Sequence, residues 1–391
     1  MPRRAATAII FIGFCLLGMV FILWGILLPN MAASLAMDEV VSGAFFTLIS
    51  AGSLLGAFLA GKYVQKFDFL ALFASLSAAV SGLLLGLSWV TQWGWLLVGA
   101  FWVGLVSAVL FTIGHTLIAR LHLARRSAMM GLMDFMFSLG TLLAPFYVSA
   151  LYLWQHDWRW PLRLLALALL LLAAFSWRTA RQAKQLPPLP GSASRQSLSY
   201  GEALRHKAFL LLALAGFGYG AVEFGNGNWF VSYAQQGRGL EGDEARFVFA
   251  FFTAGMVLSR LGFSSLLRFF APWQLMRLLA GMMLLGALVI KLGAASVALS
   301  TGNLLLGLGL GGLFPLLLSS AMDMDSDKGP VLSGLISIGA SLGVQAASFG
   351  TGLWAHYAPL ATAFWTLPLG ALWLAAFVWR YSSQVRPAEG Q

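Results

Sequence analysis

The sequence predicts an all-α integral membrane protein in which about twelve transmembrane helices form two pseudo-symmetric halves of six. The first observation is the composition: of 391 residues, 59% are hydrophobic and 10% are charged, whereas a soluble domain is about one-quarter charged. The mean hydropathy of +0.82 agrees with it. The second observation is a series of apolar stretches of membrane length, and the third is one long polar break near the middle of the chain. This composition argues against a water-soluble enzyme and excludes a disordered chain.

The predicted spans follow the apolar stretches, which are separated by proline, glycine and clusters of charge. Most are at least about 20 residues long, as a helix that crosses a bilayer requires. The first stretch is too long for the apolar region of a signal peptide and has no clear cleavage site, so we expect it to remain as a helix. The predicted spans are 7–30, 40–62, 70–90, 94–119, 128–152, 161–178, 208–235, 244–268, 273–293, 297–322, 330–354 and 359–380.

The longest polar stretch divides the chain into two halves. It contains "QLPPLPGSASRQS", which is typical of a linker. We therefore predict a six-helix half at 1–178, a cytoplasmic linker at 179–207 and a second six-helix half at 208–391. The loops "GKYVQKFD" and "SSLLRFF", which follow the second span of each half, suggest a duplication. Two such halves are typical of transporters, whose solute site lies between them near the bilayer midplane.

Basic residues are distributed unevenly between the two sides that alternate loops define. Of the 24 Lys and Arg residues, all but five fall on the side of both termini. By the positive-inside rule, we predict that both termini are cytoplasmic, and no nucleic-acid partner is needed to explain the basic surplus. The lone Cys15 excludes an intramolecular disulfide and a cysteine metal cluster. The five basic residues on the opposite side are Arg159, Arg163, Arg238, Arg246 and Lys291.

Only two of the acidic residues, Glu223 and Asp134, fall in the interior of predicted spans, where an ionisable group is costly and indicates function. Helical spacing places Tyr219, Glu223, Asn226 and Phe230 on one face of the seventh span. The run "GNGN" that follows Glu223 is expected to loosen this helix. Loss of hydration disfavours the charged form of a buried carboxyl group, which suits a proton carrier. The alternative is a structural glutamate that joins helices.

Asp134 in the fifth span and Arg260 in the eighth lie at similar predicted depths, about 9 and 12 Å from the cytoplasmic end. If these spans meet across the two halves, Asp134 and Arg260 form a gating ion pair that closes the cytoplasmic side. Asp134 is also a second candidate for proton coupling. The alternative is that Arg260 extends to the cytoplasmic interface without a partner.

Several polar and aromatic side chains are candidates for contact with a solute. Gln345 lies on a serine-rich face of the eleventh span, where an amide needs partners. His115 in the fourth span is a possible ligand, but a single histidine on an apolar helix is more often a packed, hydrogen-bonded group. Tryptophan faces stack on sugar rings and on cations alike. The predicted substrate-binding residues are Trp24, Asn30, His115, Tyr219, Asn226, Asn228, Trp229 and Gln345.

Neither the zinc motif H-E-x-x-H nor the P-loop G-x-x-x-x-G-K-[ST] occurs in the sequence. A membrane protease and an ATP-driven pump therefore have no support from motifs. We expect no enzymatic activity, no cofactor and no metal, so that any transport would be secondary.

Four segments resemble the major facilitator superfamily, in particular its fucose/glucose/galactose to proton symporter branch with the TsgA-like members. These are "YGAVEFGNGNWFVSYA", "FFTAGMVLSRLGFSSLLRFF", "GLGLGGLFPLLLSSAM" and "DFMFSLGTLLAP". The resemblance implies the major facilitator fold, places the branch's fixed arginine at Arg260 and its Phe-Pro pair at Phe314 and Pro315, and puts Asp134 where the branch has glutamine.

The chain departs from the sugar symporters of this branch at their proton-linked acids. Leu23-Trp24-Gly25 occupies the position of their Leu-Asn-Asp. In the fourth span, Phe111 occupies the position of their acidic residue, and His115 occupies the position of the asparagine that follows it. By this comparison, Glu223 and Asp134 are the remaining candidates for the acidic residue that couples transport to protons. The departures favour the TsgA-like members, for which the resemblance supplies no substrate.

The sequence thus predicts a secondary active transporter that moves a small polar solute, with sugars among the candidates, by alternating access and with protons. Drug or metabolite efflux by the same fold and a non-transporting membrane sensor remain as alternatives. We expect a monomer in a bacterial inner membrane, whose partners are the bilayer, the solute and protons.

Overall fold

The computed structural model describes residues 2–63, 69–182, 207–324 and 329–385. The predicted linker therefore lies almost wholly outside the described residues. Within them the chain is helical, and it divides into two compact units, Met1–Gly191 and Ser192–Gln391. The described part of the first unit contains six long helices, which are α1 (Pro2–Leu35), α2 (Glu39–Tyr63), α3 (Phe69–Leu87), α4 (Trp93–Leu121), α5 (Arg126–Tyr152) and α6 (Arg159–Gln182).

The described part of the second unit also contains six long helices. A π-helical turn, Tyr233–Gly237, follows the first of them, and a single helical turn, Leu360–Ala363, precedes the last. The helices are α7 (Lys207–Ser232), α8 (Gly242–Leu266), α9 (Pro272–Leu292), α10 (Ser296–Met324), α11 (Gly329–Tyr357) and α12 (Thr366–Val385).

Among the described residues, eleven helical segments are long and apolar enough to cross a membrane. They correspond to every long helix except α11, which carries Ser337, Ser341, Gln345 and Ser348 along its length. The twelve predicted spans each fall on one of the twelve long helices of these residues, although several helices extend past the predicted ends. The extension is expected because hydropathy detects the apolar part of a helix and misses its polar turns.

Local interactions fix where several helices begin. At the start of α2, the Asp38 carboxylate accepts a hydrogen bond of 2.7 Å from the Val41 backbone N–H, which satisfies one of the unpaired donors of a helix N-terminus. Pro272 occupies the first turn of α9, where its missing N–H costs nothing. The turn between α7 and α8 contains Gly239 with φ of 72°, a conformation that favours glycine.

The helices of the first unit pair in a pattern that the second unit repeats. In the first unit, α1 packs on α5 and α6, α2 packs on α4, and α3 packs on α4 and α6. In the second, α7 packs on α11 and α12, α8 packs on α10, and α9 packs on α10 and α12. Each pairing of the first unit thus recurs six helices later, as an internal duplication requires.

Glycines at the helix crossings show the same repeat at the level of residues. Where α1 crosses α5, a Cβ on Gly18 would lie 2.1 Å from the Phe137 carbonyl oxygen, and a Cβ on Gly140 would lie 1.9 Å from that of Cys15. Only glycine permits backbones to approach so closely.

The crossing of α7 and α11 has the matching arrangement. A Cβ on Gly220 would lie 2.0 Å from the Ala340 carbonyl oxygen, and one on Gly343 would lie 1.9 Å from that of Phe217. In both crossings, the glycine of one helix faces a backbone carbonyl group of the other helix. The residue with this carbonyl group lies three positions before the glycine of its own helix. Gly18 therefore corresponds to Gly220, and Gly140 corresponds to Gly343.

A second pair of crossings repeats in the same way. Gly52 on α2 and Gly104 on α4 approach carbonyl oxygens of the facing helix, so that an added Cβ would lie 2.0 Å from them in both cases. At the crossing of α8 and α10, the distances for Gly255 and Gly307 are 2.5 and 2.1 Å. The two units therefore share their packing scheme as well as their helix order.

The expectation that the "GNGN" run loosens the seventh span is wrong. Helix α7 is continuous from Lys207 to Ser232, and the irregular turn begins only at Tyr233. The run stays helical because Asn226 and Asn228 bond to neighbouring helices instead of to their own backbone.

Candidate functional site

A charged cluster lies within the membrane-spanning helices of the second unit. Arg260 Nη2 of α8 lies 4.0 Å from Glu223 Oε1 of α7. The side chains of Arg260 and Glu223 are 25% and 20% exposed, so most of each is out of solvent. The Tyr219 hydroxyl lies close enough to both side chains to interact with their charges. The three residues form one connected group, in which the arginine charge balances the carboxylate.

The local sequence explains how this group forms. Tyr219 and Glu223 are one helical turn apart and project from the same face of α7. The Tyr219 ring also packs on Phe314 of α10, with ring centroids 4.7 Å apart, which fixes its hydroxyl beside the carboxylate. Arg260 has a long side chain, which reaches Glu223 from α8.

A second polar pair lies in the first unit, between α4 and α5. His115 Nε2 is 3.0 Å from Asp134 Oδ1, and His115 Nδ1 is 3.0 Å from the Phe111 carbonyl oxygen one turn earlier. The Phe111 and Phe14 rings pack on the imidazole with centroid distances of 4.4 and 5.1 Å. The side chains of His115 and Asp134 are 23% and 49% exposed, so the pair is open on the side of the carboxylate.

Aromatic rings continue from the histidine along α1, α4 and α5. The Phe137 ring lies 5.6 Å from that of Phe111 and 5.5 Å from that of Phe21, between centroids. These three rings are partly exposed. They form, with Asp134 nearby, a surface of aromatic faces beside a carboxylate.

The sequence predictions did not identify the bond between His115 and Asp134, although the signal was present. His115 lies six residues before the end of α4, and Asp134 lies eight residues after the start of α5. At 1.5 Å per residue these positions are about 9 and 12 Å from the connected ends of two successive helices, so the side chains lie at similar depth.

The gating ion pair between Asp134 and Arg260 joins residues of different units and stays a prediction. Within its own unit, Asp134 bonds to His115, and Arg260 lies beside Glu223. Each member of the predicted pair thus has a partner in its own unit, and a gating contact would have to compete with it.

Three of the predicted substrate-binding residues use their polar atoms to join helices. Asn226 Nδ2 donates a 3.0 Å hydrogen bond to Asn303 Oδ1 of α10. Asn228 Nδ2 donates to Ser348 Oγ of α11 at 3.0 Å, and Trp229 Nε1 donates to the Ser348 carbonyl oxygen at 3.2 Å. All are buried, so these groups hold α7 against α10 and α11. A role in solute binding stays a prediction for them.

The remaining candidates differ in exposure. Trp24 is buried and its ring packs edge-on against Phe45, with centroids 5.4 Å apart. Asn30 is partly exposed, and in the described part of the chain its buried Oδ1 has no hydrogen-bond partner. Gln345 is also partly exposed. Asn30 and Gln345 therefore retain surface for a solute, whereas Trp24 has almost none.

One sequence pattern shared with hydrolases has a different role in this fold. The segment from Gly339 to Gly343 fits the nucleophile-elbow pattern G-x-S-x-G with Ser341 at its centre. That motif requires a sharp turn from a strand into a helix, but here the segment lies inside the continuous helix α11. Its two glycines instead allow the close approach of α7.

Two repeated six-helix units, with paired charges inside their spanning helices, define a multi-pass membrane protein of the transporter class. Comparison with known families agrees with this class. The family model of the Major Facilitator Superfamily matches residues 9–348. The chain belongs to this superfamily.

Curated relatives are similar over most of their length. The chain is 27% identical over 288 residues to "Protein TsgA homolog" of Erwinia tasmaniensis, which covers 71% of this chain and 69% of the relative. It is 25% identical over 285 residues to "Protein TsgA" of Salmonella typhimurium, covering 72% of this chain and 70% of the relative. The predicted resemblance to the superfamily and its TsgA-like members is confirmed.

Solved transporters share the fold. The nucleoside transporter NupG superposes with a TM-score of 0.77 at 13% identity, covering 99% of this chain and 100% of NupG. A bacterial homologue of the human lysosomal transporter Spinster superposes with a TM-score of 0.72 at 14% identity, covering 100% of this chain and 98% of that one. The predicted fold class is confirmed.

Proposed function

We propose that this chain is a secondary active transporter that moves a small polar solute by alternating access and couples the movement to protons. The observation that carries the proposal is the cluster of Glu223, Arg260 and Tyr219 inside spanning helices of a Major Facilitator Superfamily protein. Charges at such positions are costly and indicate a functional site.

The cluster suits proton coupling because its two charges respond differently to a proton. Arg260 stays charged under all physiological conditions. Protonation of Glu223 would remove the charge–charge attraction across the 4.0 Å contact, so that this carboxyl group would no longer balance the Arg260 charge. Proton binding at Glu223 would then weaken the contact between α7 and α8, and a contact whose strength depends on a proton is the kind of two-state element that transport requires.

The solute class is inferred from the polar groups of the spanning helices. The names of the TsgA relatives do not state a solute, and the departures at Leu23-Trp24-Gly25 and Phe111 remove the acids of the sugar symporters. Sugars remain among the candidates because partly exposed polar groups, such as those of Asn30 and Gln345, suit hydroxyl-rich solutes.

Efflux of a cationic solute is the second candidate. It is favoured by the partly exposed rings of Phe21, Phe111 and Phe137 near the Asp134 carboxylate. Aromatic faces and a carboxylate attract organic cations. The direction of movement and the charge of the solute distinguish this function from uptake of a neutral solute.

We also propose that the protein lies in the bacterial inner membrane as a monomer, with both termini cytoplasmic. The relatives are bacterial proteins, and the bias of basic residues follows the positive-inside rule. The proposed orientation of the chain in the membrane is based on this bias alone.

The experiment that tests the proposal is solute-dependent proton movement in liposomes that contain the purified protein and a pH-sensitive dye. The panel comprises hexoses, deoxyhexoses, amino sugars and cationic drugs. We expect at least one solute to change the internal pH with wild-type protein and none to do so with Glu223→Gln. Glu244→Gln is the matched control, because Glu244 is an exposed carboxylate in the first turn of α8. An unchanged proton signal in Glu223→Gln would remove Glu223 from the mechanism.

A further inference from the structure

Both ring nitrogens of His115 face hydrogen-bond acceptors. Nδ1 is 3.0 Å from the Phe111 carbonyl oxygen, and Nε2 is 3.0 Å from Asp134 Oδ1. A ring rotated by 180° would place carbon atoms at these two positions and lose both bonds. The histidine is therefore held in one orientation by groups on α4 and α5.

Two hydrogen bonds at these contacts require one proton more than a neutral imidazole beside an ionised carboxylate contains. A backbone carbonyl only accepts, so Nδ1 must carry a hydrogen. An ionised carboxylate also only accepts, so Nε2 must carry a second hydrogen, or the carboxyl group must carry it and donate to Nε2. In both cases one hydrogen lies between Nε2 and Oδ1.

We propose that His115 and Asp134 together form a proton-binding site in the first unit, separate from Glu223. A proton from water binds between Nε2 and Oδ1, and the net charge of the pair changes from −1 to zero. On release the proton returns to water, and the one remaining ring hydrogen can serve only one of the two acceptors, so one of the two hydrogen bonds of His115 is lost. A role of this pair in coupling protons to transport rests on the proposed transport function. The binding of a proton by the pair does not depend on that function.

Among the described side chains, no other ion pair involves His115 or Asp134. On α4, the Arg120 guanidinium lies over the Phe69 ring of α3, 4.1 Å from its centroid, and His122 bonds to Thr7 of α1. The remaining titratable residues on α1, α2, α5 and α6 are Arg3, Arg4, Cys15, Glu39, Lys62, Tyr63, Arg126, Tyr147, Tyr152, Arg159, Arg163, Arg178 and Arg181.

The exposure of the pair allows the proton to exchange. The Asp134 side chain is 49% exposed, whereas the His115 ring is only 23% exposed and is covered by Phe14 and Phe111. A carboxylate that opened onto lipid would be costly, so its open side should face water. The proton would therefore enter and leave at Asp134, and the enclosed histidine would hold it.

The test is a count of hydrogens on His115 that needs no transported solute. Protein with isotope-labelled histidine is studied in nanodiscs by nitrogen NMR at slightly acidic pH, and His115→Gln assigns the signal. Infrared spectroscopy with Asp134→Asn identifies the Asp134 carboxyl band. We expect either hydrogens on both His115 nitrogens or one ring hydrogen together with a protonated Asp134.

Asp134→Asn gives the second readout. An amide can donate to Nε2, so in this variant His115 should carry one ring hydrogen only. His122 is the matched control, because its Nε2 lies 2.8 Å from the Thr7 hydroxyl, which can either donate or accept. We expect the His122 signal to be the same in the wild type and in Asp134→Asn.

A single ring hydrogen on His115 beside an ionised Asp134 in the wild type would overturn the inference, whatever the variants do. The outcome is separable from the proposed function. Proton-coupled flux with an unprotonated pair would refute this site and leave Glu223 as the coupling group. A protonated pair in a protein that transports nothing would support the site and refute the transport proposal.

Discussion

At the scale of the residue, the charges in the spanning helices matter because of their partners. Glu223 lies beside Arg260 and Tyr219, and Asp134 bonds to His115. Taking a charge out of water is costly, and an opposite charge nearby offsets part of that cost. Removal of one partner therefore leaves the other uncompensated, whereas removal of both is less harmful.

The first prediction follows for Glu223→Gln, Arg260→Gln and the double variant. We expect each single variant to lower the apparent melting temperature in detergent, because each leaves one mostly buried charge unpaired. The double variant should be less destabilised than the sum of the singles, with a coupling free energy on the order of 1 kcal/mol. A double variant whose loss equals the sum would show that the two residues do not interact.

Sequence reasoning identified these ionisable residues but only part of their pairing. Glu223 and Asp134 were evident because acids are rare in apolar spans. The contact of Arg260 with Glu223 and that of His115 with Asp134 depend on how the helices rotate about their axes, which hydropathy does not determine. The polar neighbours of Glu223 were partly predictable, since Tyr219 follows from helical spacing alone.

At the scale of the element, close crossings at glycine join the helices of each unit. Hydrophobic attraction between helices is absent in lipid, so close backbone approach and interhelical hydrogen bonds must supply the attraction. Gly18 and Gly140 join α1 to α5, and Gly220 and Gly343 join α7 to α11. Asn226 adds a hydrogen bond from α7 to α10.

The second prediction compares two glycines of α5. In Gly140→Ala the added methyl group would lie 1.9 Å from the Cys15 carbonyl oxygen, so the helices must separate, at a cost of about 1–3 kcal/mol. In Gly131→Ala the new methyl group meets nothing within 4 Å, and the stability should be unchanged or slightly higher. Thermal unfolding of both variants in detergent measures the difference.

Equal melting temperatures for these two variants would contradict the crossing. Gly343→Ala extends the comparison, since its added methyl group would lie 1.9 Å from the Phe217 carbonyl oxygen. We expect it to resemble Gly140→Ala, because the two glycines occupy matching positions in the two units.

Helix positions were largely predictable because a membrane span needs a long apolar segment. The conformation of "GNGN" was not, since glycine and asparagine suggest an irregular backbone when neighbours are unknown. Asn303 and Ser348 supply the partners that keep α7 regular. These partners lie far along the chain, and no local pattern indicates them.

At the scale of the whole molecule, the two units repeat in packing but differ in chemistry. Glu223 lies three residues after Gly220, and the residue three after the matching Gly18 is Phe21. Asp134 lies six residues before Gly140, and the residue six before Gly343 is Ser337. The duplicated scaffold therefore carries a different ionisable pair in each unit. The loops revealed the duplication only weakly, whereas the crossings define it residue by residue.

The third prediction concerns orientation in the membrane. With Cys15 replaced by alanine, Gln236→Cys in the turn between α7 and α8 should react with a membrane-impermeant maleimide added to intact cells. Gln182→Cys at the end of α6 should react only after the membrane is opened. Both glutamines are exposed, so access to the reagent decides the result. The reverse labelling pattern would place both termini outside and contradict the basic-residue bias.

The measurement that tests the central claim most directly is solute accumulation in sealed vesicles against a concentration gradient, driven by an imposed proton gradient. The solute is the one that gives a proton signal in the liposome panel. The account predicts accumulation above the external concentration, its loss when a protonophore removes the gradient, and equilibration without accumulation in Glu223→Gln. Wild-type protein that only equilibrates the solute, with or without the proton gradient, would contradict proton-coupled secondary transport.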